Sequence, residues 1–210
     1  MSRNGRTVSA LQFDQSRASG SVVVATIEPL AGGYPDAATA RLKRMPAVAL
    51  VGLVATPPEA RAVKRVFLIE RGATREPVEI DINFASNDYF RVVQDPLLEG
   101  RPFSPDDDAN PTNAVVINEA LAQRYFPDRA VGGTLTDSLG GSVRIVGVVR
   151  THSYRALEGP PRPTIFFPMT RYTARAFCAI LRLRTDVDAR LSLDRLRRNS
   201  NRPGQPARST

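Results

Sequence analysis

The chain has 210 residues, 42% hydrophobic and 24% charged, the composition of an ordinary folded protein with enough apolar material for one large domain or two small ones. Lys+Arg outnumber Asp+Glu by 29 to 21, giving +8; ten arginines against three aspartates fall from Arg171 onward, so the excess is a basic end rather than a basic body. A single cysteine, Cys178, excludes an intrachain disulfide, and the longest apolar run, AVALVGLVA at 47–55, is far short of the ~20 residues of a membrane-spanning helix.

Residues 1–20 are polar and unpatterned, have no apolar signal-peptide segment, and are expected to be a flexible tail. SVVVATIE (21–28) is β-branched and predicts a strand. Pro35 at the first helical position and Pro46 beyond the end bracket a helix over 36–45, with Ala38, Leu42 and Met45 on one face. AVALVGLVAT (47–56) reads as a strand buried on both sides, completing a β-α-β unit. VFLIE (66–70) and VEIDINF (78–84) predict paired strands; in the second, Val78, Ile80, Ile82 and Phe84 alternate with Glu79, Asp81 and Asn83. Ser86 is placed to cap a short helix presenting Tyr89, Phe90 and Val93 to a core. AVVI (114–117) is a short buried strand, Asn118 caps a helix to Phe126, and GTLTDSLGGSVRIVGVV forms a hairpin around Gly140–Gly141. PRPTIFFP and FCAILRLRT are further strands, and an amphipathic helix is expected over 187–198. The fold class is therefore α+β, with a mixed sheet and short helices.

The stretch PLLEGRPFSPDDD, with Asn110 beyond it, raises a metal site. Asp106, Asp108 and Asn110 match the opening of an EF-hand loop, but its sixth position is Pro111 instead of glycine and its twelfth is Ile117 instead of a bidentate Glu. A structural reading accounts for more: Ser104 as N-cap, Pro105 at the first helical position and Asp107 as the capping-box acid. His152 and Cys178 are the only pair from which a thiolate nucleophile can be assembled, which keeps a small Cys/His-dependent hydrolase as an alternative. A second alternative is a basic nucleic-acid-binding domain acting through Arg190, Arg195, Arg197, Arg198 and Arg202, although no RNA-binding aromatic signature accompanies them. No phosphate loop, HExxH, GxSxG or CxxC is present, so neither cofactor nor metal is expected and no residue is assigned a catalytic role.

Four segments occur in a telling order: NDYFRVVQDPLLEGRPFSPDDD, AVVINEALAQRYFPDRAVGGTL, VRIVGVVR and PPRPTIFFP. Together, across residues 21–198, they resemble the MacB-like periplasmic core domain of ABC transporter permeases of the FtsX-like type. The residues that carry the resemblance, all in structural roles, are Tyr89, Phe90, Leu98, Gly100, Arg101, Phe103, Asn118, Glu119, Phe126, Gly132 and Gly147. Gly100 is expected to bend the backbone before Arg101, and Phe103 and Phe126 to anchor cores. The resemblance implies a non-enzymatic periplasmic domain set between two membrane helices, neither of which this chain carries. It implies a porter-like half of β-α-β units, 21–84 and 143–198, with a smaller α+β subdomain inserted at 85–142 and a second tail at 199–210. It implies as partners the permease's own membrane helices and ATPase domain, together with a periplasmic adaptor or an exported substrate, and no nucleic acid. Two departures stand out: Thr151 replaces an acid that often follows the RIVGVV strand, and the end of the chain does not read as a strand returning to the membrane.

Overall fold

The computed structural model describes residues 9–14, 22–27, 36–56, 63–71, 74–104, 106–107, 113–150, 162–172 and 177–184. They form an α+β fold in which eleven strands are joined in mixed pairings and helices are few and short. The chain divides into two compact units, one formed by Met1–Val51 with Ala174–Thr210 and the other by Gly52–Thr173. The bounds expected from sequence, 21–84 with 143–198 around an insert at 85–142, cut the chain at other places. Strands that the expectation assigned to the outer half, at 63–71, 142–149 and 164–168, also pair with strands at 114–118 and 134–137.

In the first unit β1 (Ser9–Asp14) pairs antiparallel with β2 (Val22–Ile27). Residues 9–14 are thus a strand where a tail was expected; the signal is the alternation of Leu11 and Phe13 with Ala10 and Gln12, short enough to be overlooked. The helix α1 (Asp36–Lys43) follows, and then β3 (Val48–Val54), within which the unit boundary falls. The last strand of the chain, β11 (Phe177–Leu183), is antiparallel to β2 and stands between β2 and β3 in the strand order. Cys178 is buried in it, and Leu181 and Leu183 are buried while Arg184 is exposed, as the alternation predicted.

The second unit is built on a ring of strands. From β5 (Thr74–Ala85) the order runs through β10 (Thr164–Pro168), β7 (Ala114–Asn118), β9 (Ser142–Val149), β8 (Thr134–Asp137) and β4 (Val63–Arg71), and β4 pairs again with β5. The pairs β10–β5 and β7–β9 are parallel and the others antiparallel. Closure satisfies the edge hydrogen bonds that an open sheet exposes. The interior is apolar because each strand alternates: Phe67 and Ile69 from β4, Val78, Ile80 and Ile82 from β5, Ile145 from β9, Ile165 and Phe167 from β10. Each such side chain, taken from water to full burial, stabilises the fold by about 1.5–3 kcal/mol. The helix α3 (Glu119–Tyr125) adds Leu121 and Tyr125 to the same core.

Two elements lie off the ring. The helix α2 (Asn87–Val93) buries Tyr89, Phe90, Val92 and Val93. Strand β10 serves both sides, since Phe167 enters the ring's core while Phe166 meets Phe90 at 5.2 Å in an edge-on pair. The four-residue strand β6 (Leu97–Gly100) pairs with β9 alone, and all four of its residues are exposed. With no buried face it has no alternation to read, which is why this stretch looks like a turn in the sequence.

Candidate functional site

Two of the four segments meet where β6 pairs with β9. Gly100 stands opposite Gly147 in the register. Gly100 has φ +75°, and a Cβ there would lie 2.2 Å from the Val146 carbonyl oxygen. A Cβ on Gly147 would lie 2.4 Å from the Arg101 carbonyl oxygen. Two backbones pass so closely here that neither position has room for a side chain. The contact is fastened by Arg101 N–H, which donates to Val146 O at 2.9 Å, and by Arg150 N–H, which donates to Pro96 O at 3.0 Å.

The chain beyond β6 is then tied down by polar side chains. Asn87, at the start of α2, donates from Nδ2 to Phe103 O at 2.6 Å and accepts at Oδ1 from Phe103 N–H at 2.9 Å, so one amide replaces a missing strand partner. Phe103 is buried, its ring 6.4 Å from that of Phe90. Ser104 and Asp107 exchange the bonds of a capping box: Ser104 N–H donates to Asp107 Oδ2 at 2.7 Å, and Asp107 N–H donates to Ser104 Oγ at 3.3 Å. The Arg101 guanidinium makes a two-pronged pair with the same carboxylate, Nη2 to Oδ1 at 3.0 Å alongside Nη1 to Oδ2. Asp107 is only 3% exposed in its side chain whereas Arg101 is 49% exposed.

The hydrogen bonds from Arg101, supported by those of Ser104, hold the Asp107 carboxyl below the usual carboxylate range against the opposing effect of burial. The same hydrogen bond raises Arg101. A carboxyl with a depressed folded-state pKa contributes stability that is complete above its unfolded value of about 4 and is lost as pH falls below it. Asp107→Asn is expected to cost about 1–2 kcal/mol at neutral pH, the low end for a charge-assisted pair because one partner is half exposed. Urea midpoints compared from neutral to strongly acid pH should show the gap between native and variant closing only below about pH 4.

A second polar cluster holds α3. Asn118 Oδ1 accepts from Leu121 N–H at 3.1 Å, the cap expected from sequence, and also from Thr164 N–H at 3.0 Å at the start of β10. Asn118 Nδ2 donates to Arg162 O at 2.8 Å. Glu119, half-buried, accepts from Gln123 Nε2 at 3.1 Å. Phe126 closes the helix, its N–H donating to Ala122 O at 2.8 Å, and its ring packs against the core as an anchor. Gly132 occupies the next turn with φ +92°, its N–H donating to Ile145 O at 2.8 Å.

Gly100, Arg101 and Gly147 therefore meet at the β6–β9 pairing, Phe103 beyond it packs on Phe90, which in turn meets Tyr89, and Asn118, Glu119, Phe126 and Gly132 belong to the α3 end of the ring. Leu98 lies on β6 with 43% of its surface exposed. Ser86 departs from expectation. It stands at the N-cap position of α2 but makes no cap bond there; its Oγ accepts instead from Leu53 N–H at 2.9 Å. Two further amides escaped the sequence reading. Asn87 is one, and Asn83 is the other: it accepts from Thr56 N–H at 3.0 Å and donates to Thr56 O at 2.8 Å. The available signal was an asparagine inside or beside a strand, where its low propensity calls for a compensating bond.

Among the described residues no group of three His, Cys, Asp or Glu is placed to hold a metal ion. Asp108, Asn110, His152 and the C-terminal arginines from Arg190 onward lie outside the described residues.

The arrangement has known parallels. The chain is similar to the periplasmic region of MacB from Actinobacillus actinomycetemcomitans, with TM-score 0.58 and 15% identity over 83% of this chain and 80% of that one. It is also similar to the extracellular domain of the noncanonic ABC-type transporter YknZ from Gram-positive bacteria, with TM-score 0.53 and 16% identity over 81% of this chain and 85% of that one. At such identities the likeness is one of fold. None of the curated proteins compared matches the chain. The profile of the MacB-like periplasmic core domain matches residues 5–198, nearly the whole sequence, and the chain belongs to that family.

Proposed function

We propose that this domain is the extracytoplasmic part of an ABC transporter permease, that it performs no catalysis, and that it binds a partner protein or exported substrate while relaying motion driven by ATP hydrolysis in a separate domain. The observation that carries the reading is the family match over residues 5–198. Its motif residues serve the fold: glycines in backbone contact, an arginine paired with a capping acid, and an asparagine joining a helix to a distant strand. Such a body transmits displacement as a unit, because its polar groups are committed to holding segments together. The buried position of Cys178 supports this reading over a thiol hydrolase, since reactive cysteines are partly exposed. The order β2, α1, β3, with β11 between the two strands, supports a split β-α-β arrangement in a porter-like half. An inserted subdomain is part of the same reading, supported by the enclosure of 52–173 between two segments of the first unit, although that enclosed unit is the longer of the two rather than the smaller one expected.

The test uses the full permease with Leu98→Cys, whose side chain is exposed while the native Cys178 is buried. A membrane-impermeant maleimide should label it in intact spheroplasts, at a rate that changes when the ATPase is trapped with nucleotide and vanadate. Labelling that requires permeabilised cells would place the domain on the wrong side of the membrane, and a rate blind to the nucleotide state would remove the coupling role.

A further inference from the structure

Leu139 is 94% exposed, far more than any other large apolar side chain among the described residues. It sits on the turn between β8 and β9, and the turn is held firmly. Asp137 Oδ1 accepts from Leu139 N–H at 2.9 Å and from Gly141 N–H at 2.7 Å. Asp137 N–H donates to Gly141 O at 2.7 Å, and Gly140 N–H donates to Asp137 O at 3.0 Å. The aspartate is consumed in shaping the turn, which fixes the backbone that carries the leucine. A loop whose backbone is ordered in advance loses less entropy when a partner covers it.

The surroundings extend the feature. Strands β8 and β4 are antiparallel with Asp137 opposite Phe67, so the turn beyond Asp137 runs past the residues that precede Phe67. Those residues include Val63, 56% exposed, and Val66, 42% exposed. Between them stand Lys64, which pairs with Glu79, and Arg65, exposed and without an ion pair among the described residues. Alternation along β4 puts Val63 and Arg65 on one face and Val66 on the other, so this end of the ring carries an apolar knob beside Val63 and a guanidinium with no ion pair among the described residues.

We propose that this end is a docking surface for a partner protein, with Leu139 inserting into an apolar pocket whose rim carries a carboxylate for Arg65. The proposal rests on the partner-binding reading above and names the surface. A protein pocket fits better than a lipid surface. A single exposed leucine with an arginine nearby offers less than one fatty-acyl chain, which alone holds a protein to a membrane only marginally. A pocket, by contrast, can enclose the whole side chain and desolvate the adjoining charge pair.

The experiment places the photoreactive residue benzoylphenylalanine at position 139, and separately at Leu98 on β6, in the full permease in living cells. The expected result is a protein adduct from position 139 whose cross-linked peptide, read by mass spectrometry, is apolar and flanked by Asp or Glu. Its yield should fall at least tenfold with Arg65→Glu and fall likewise at high salt, while the denaturation midpoint of the purified Arg65→Glu chain stays at the native value. An adduct to lipid, an adduct to a second copy of this chain, or a protein adduct indifferent to Arg65→Glu overturns the proposal. If Leu98 yields a protein adduct and position 139 yields none, the surface is wrong but the partner-binding function stands. If neither position yields one, both fail.

Discussion

Replacing Gly100 with alanine is expected to destabilise the second unit by about 3 kcal/mol, more than any other single methyl added to the motif. Two costs add. A non-glycine residue at φ +75° carries roughly 1–2 kcal/mol of backbone strain, and the new methyl falls 2.2 Å from the Val146 carbonyl oxygen. Because that neighbour is backbone rather than a flexible side chain, β6 has to move away from β9, adding about 1–3 kcal/mol of overpacking. It also carries off the Arg101 N–H bond to Val146 O. Gly132→Ala is the control: φ is +92° there, but nothing lies within 4 Å of a new Cβ, so only the strain of about 1–2 kcal/mol should appear. Denaturant midpoints of the two variants decide the matter. Equal losses would mean that the close approach at Gly100 contributes nothing beyond strain.

Asn118→Ala should cost a similar amount, about 3 kcal/mol. Loss of an N-cap side chain accounts for roughly 1 kcal/mol. The rest comes from Thr164 N–H and Arg162 O, which lose their Asn118 bonds beside a side chain that is itself 6% exposed. Asn118→Asp separates these terms. It keeps both acceptor functions, toward Leu121 and Thr164, but sets a carboxylate against the Arg162 carbonyl. Its loss should be smaller than that of the alanine variant and should lessen in acid, where a protonated carboxyl again donates. Amide hydrogen exchange at Leu121 and Thr164 reports the two contacts separately: alanine should expose both, aspartate neither.

These two residues also mark how far the sequence is legible. That Asn118 caps a helix follows from its type and its place before an amphipathic run, and the structure has the cap. That the same amide also holds Arg162 and Thr164, 44 and 46 positions away, depends on which strand lies beside β7, and local pattern does not carry that information. The positive φ at Gly100 was foreseeable from glycine before a constrained arginine; its register partner Gly147 was not. Strands with alternating patterns were plain: in β5 Val78, Ile80 and Ile82 are buried and Glu79 exposed as the alternation demands, although Asp81 is buried with them and Phe84 only half-buried. β6, exposed along its whole length, left no such trace. Ser86 shows the reverse failure: the residue type suited a cap, but a backbone N–H on a neighbouring strand competed for the hydroxyl and won it. The family resemblance was legible because it rests on order along the chain, which needs no knowledge of pairing.

The first unit is made from both ends of the sequence, and this shapes its birth on the ribosome. Phe177 pairs with Ile27, a strand partner made 150 positions earlier. At synthesis speeds on the order of 10 residues per second, β2 waits roughly a quarter of a minute before β11 arrives to cover its flank. Every contact of the ring between Gly52 and Thr173 is available before that moment. The interior of the chain can therefore mature first, and the terminal segments assemble last, with one side of β2 left open to a chaperone or to misplaced pairing in the interval.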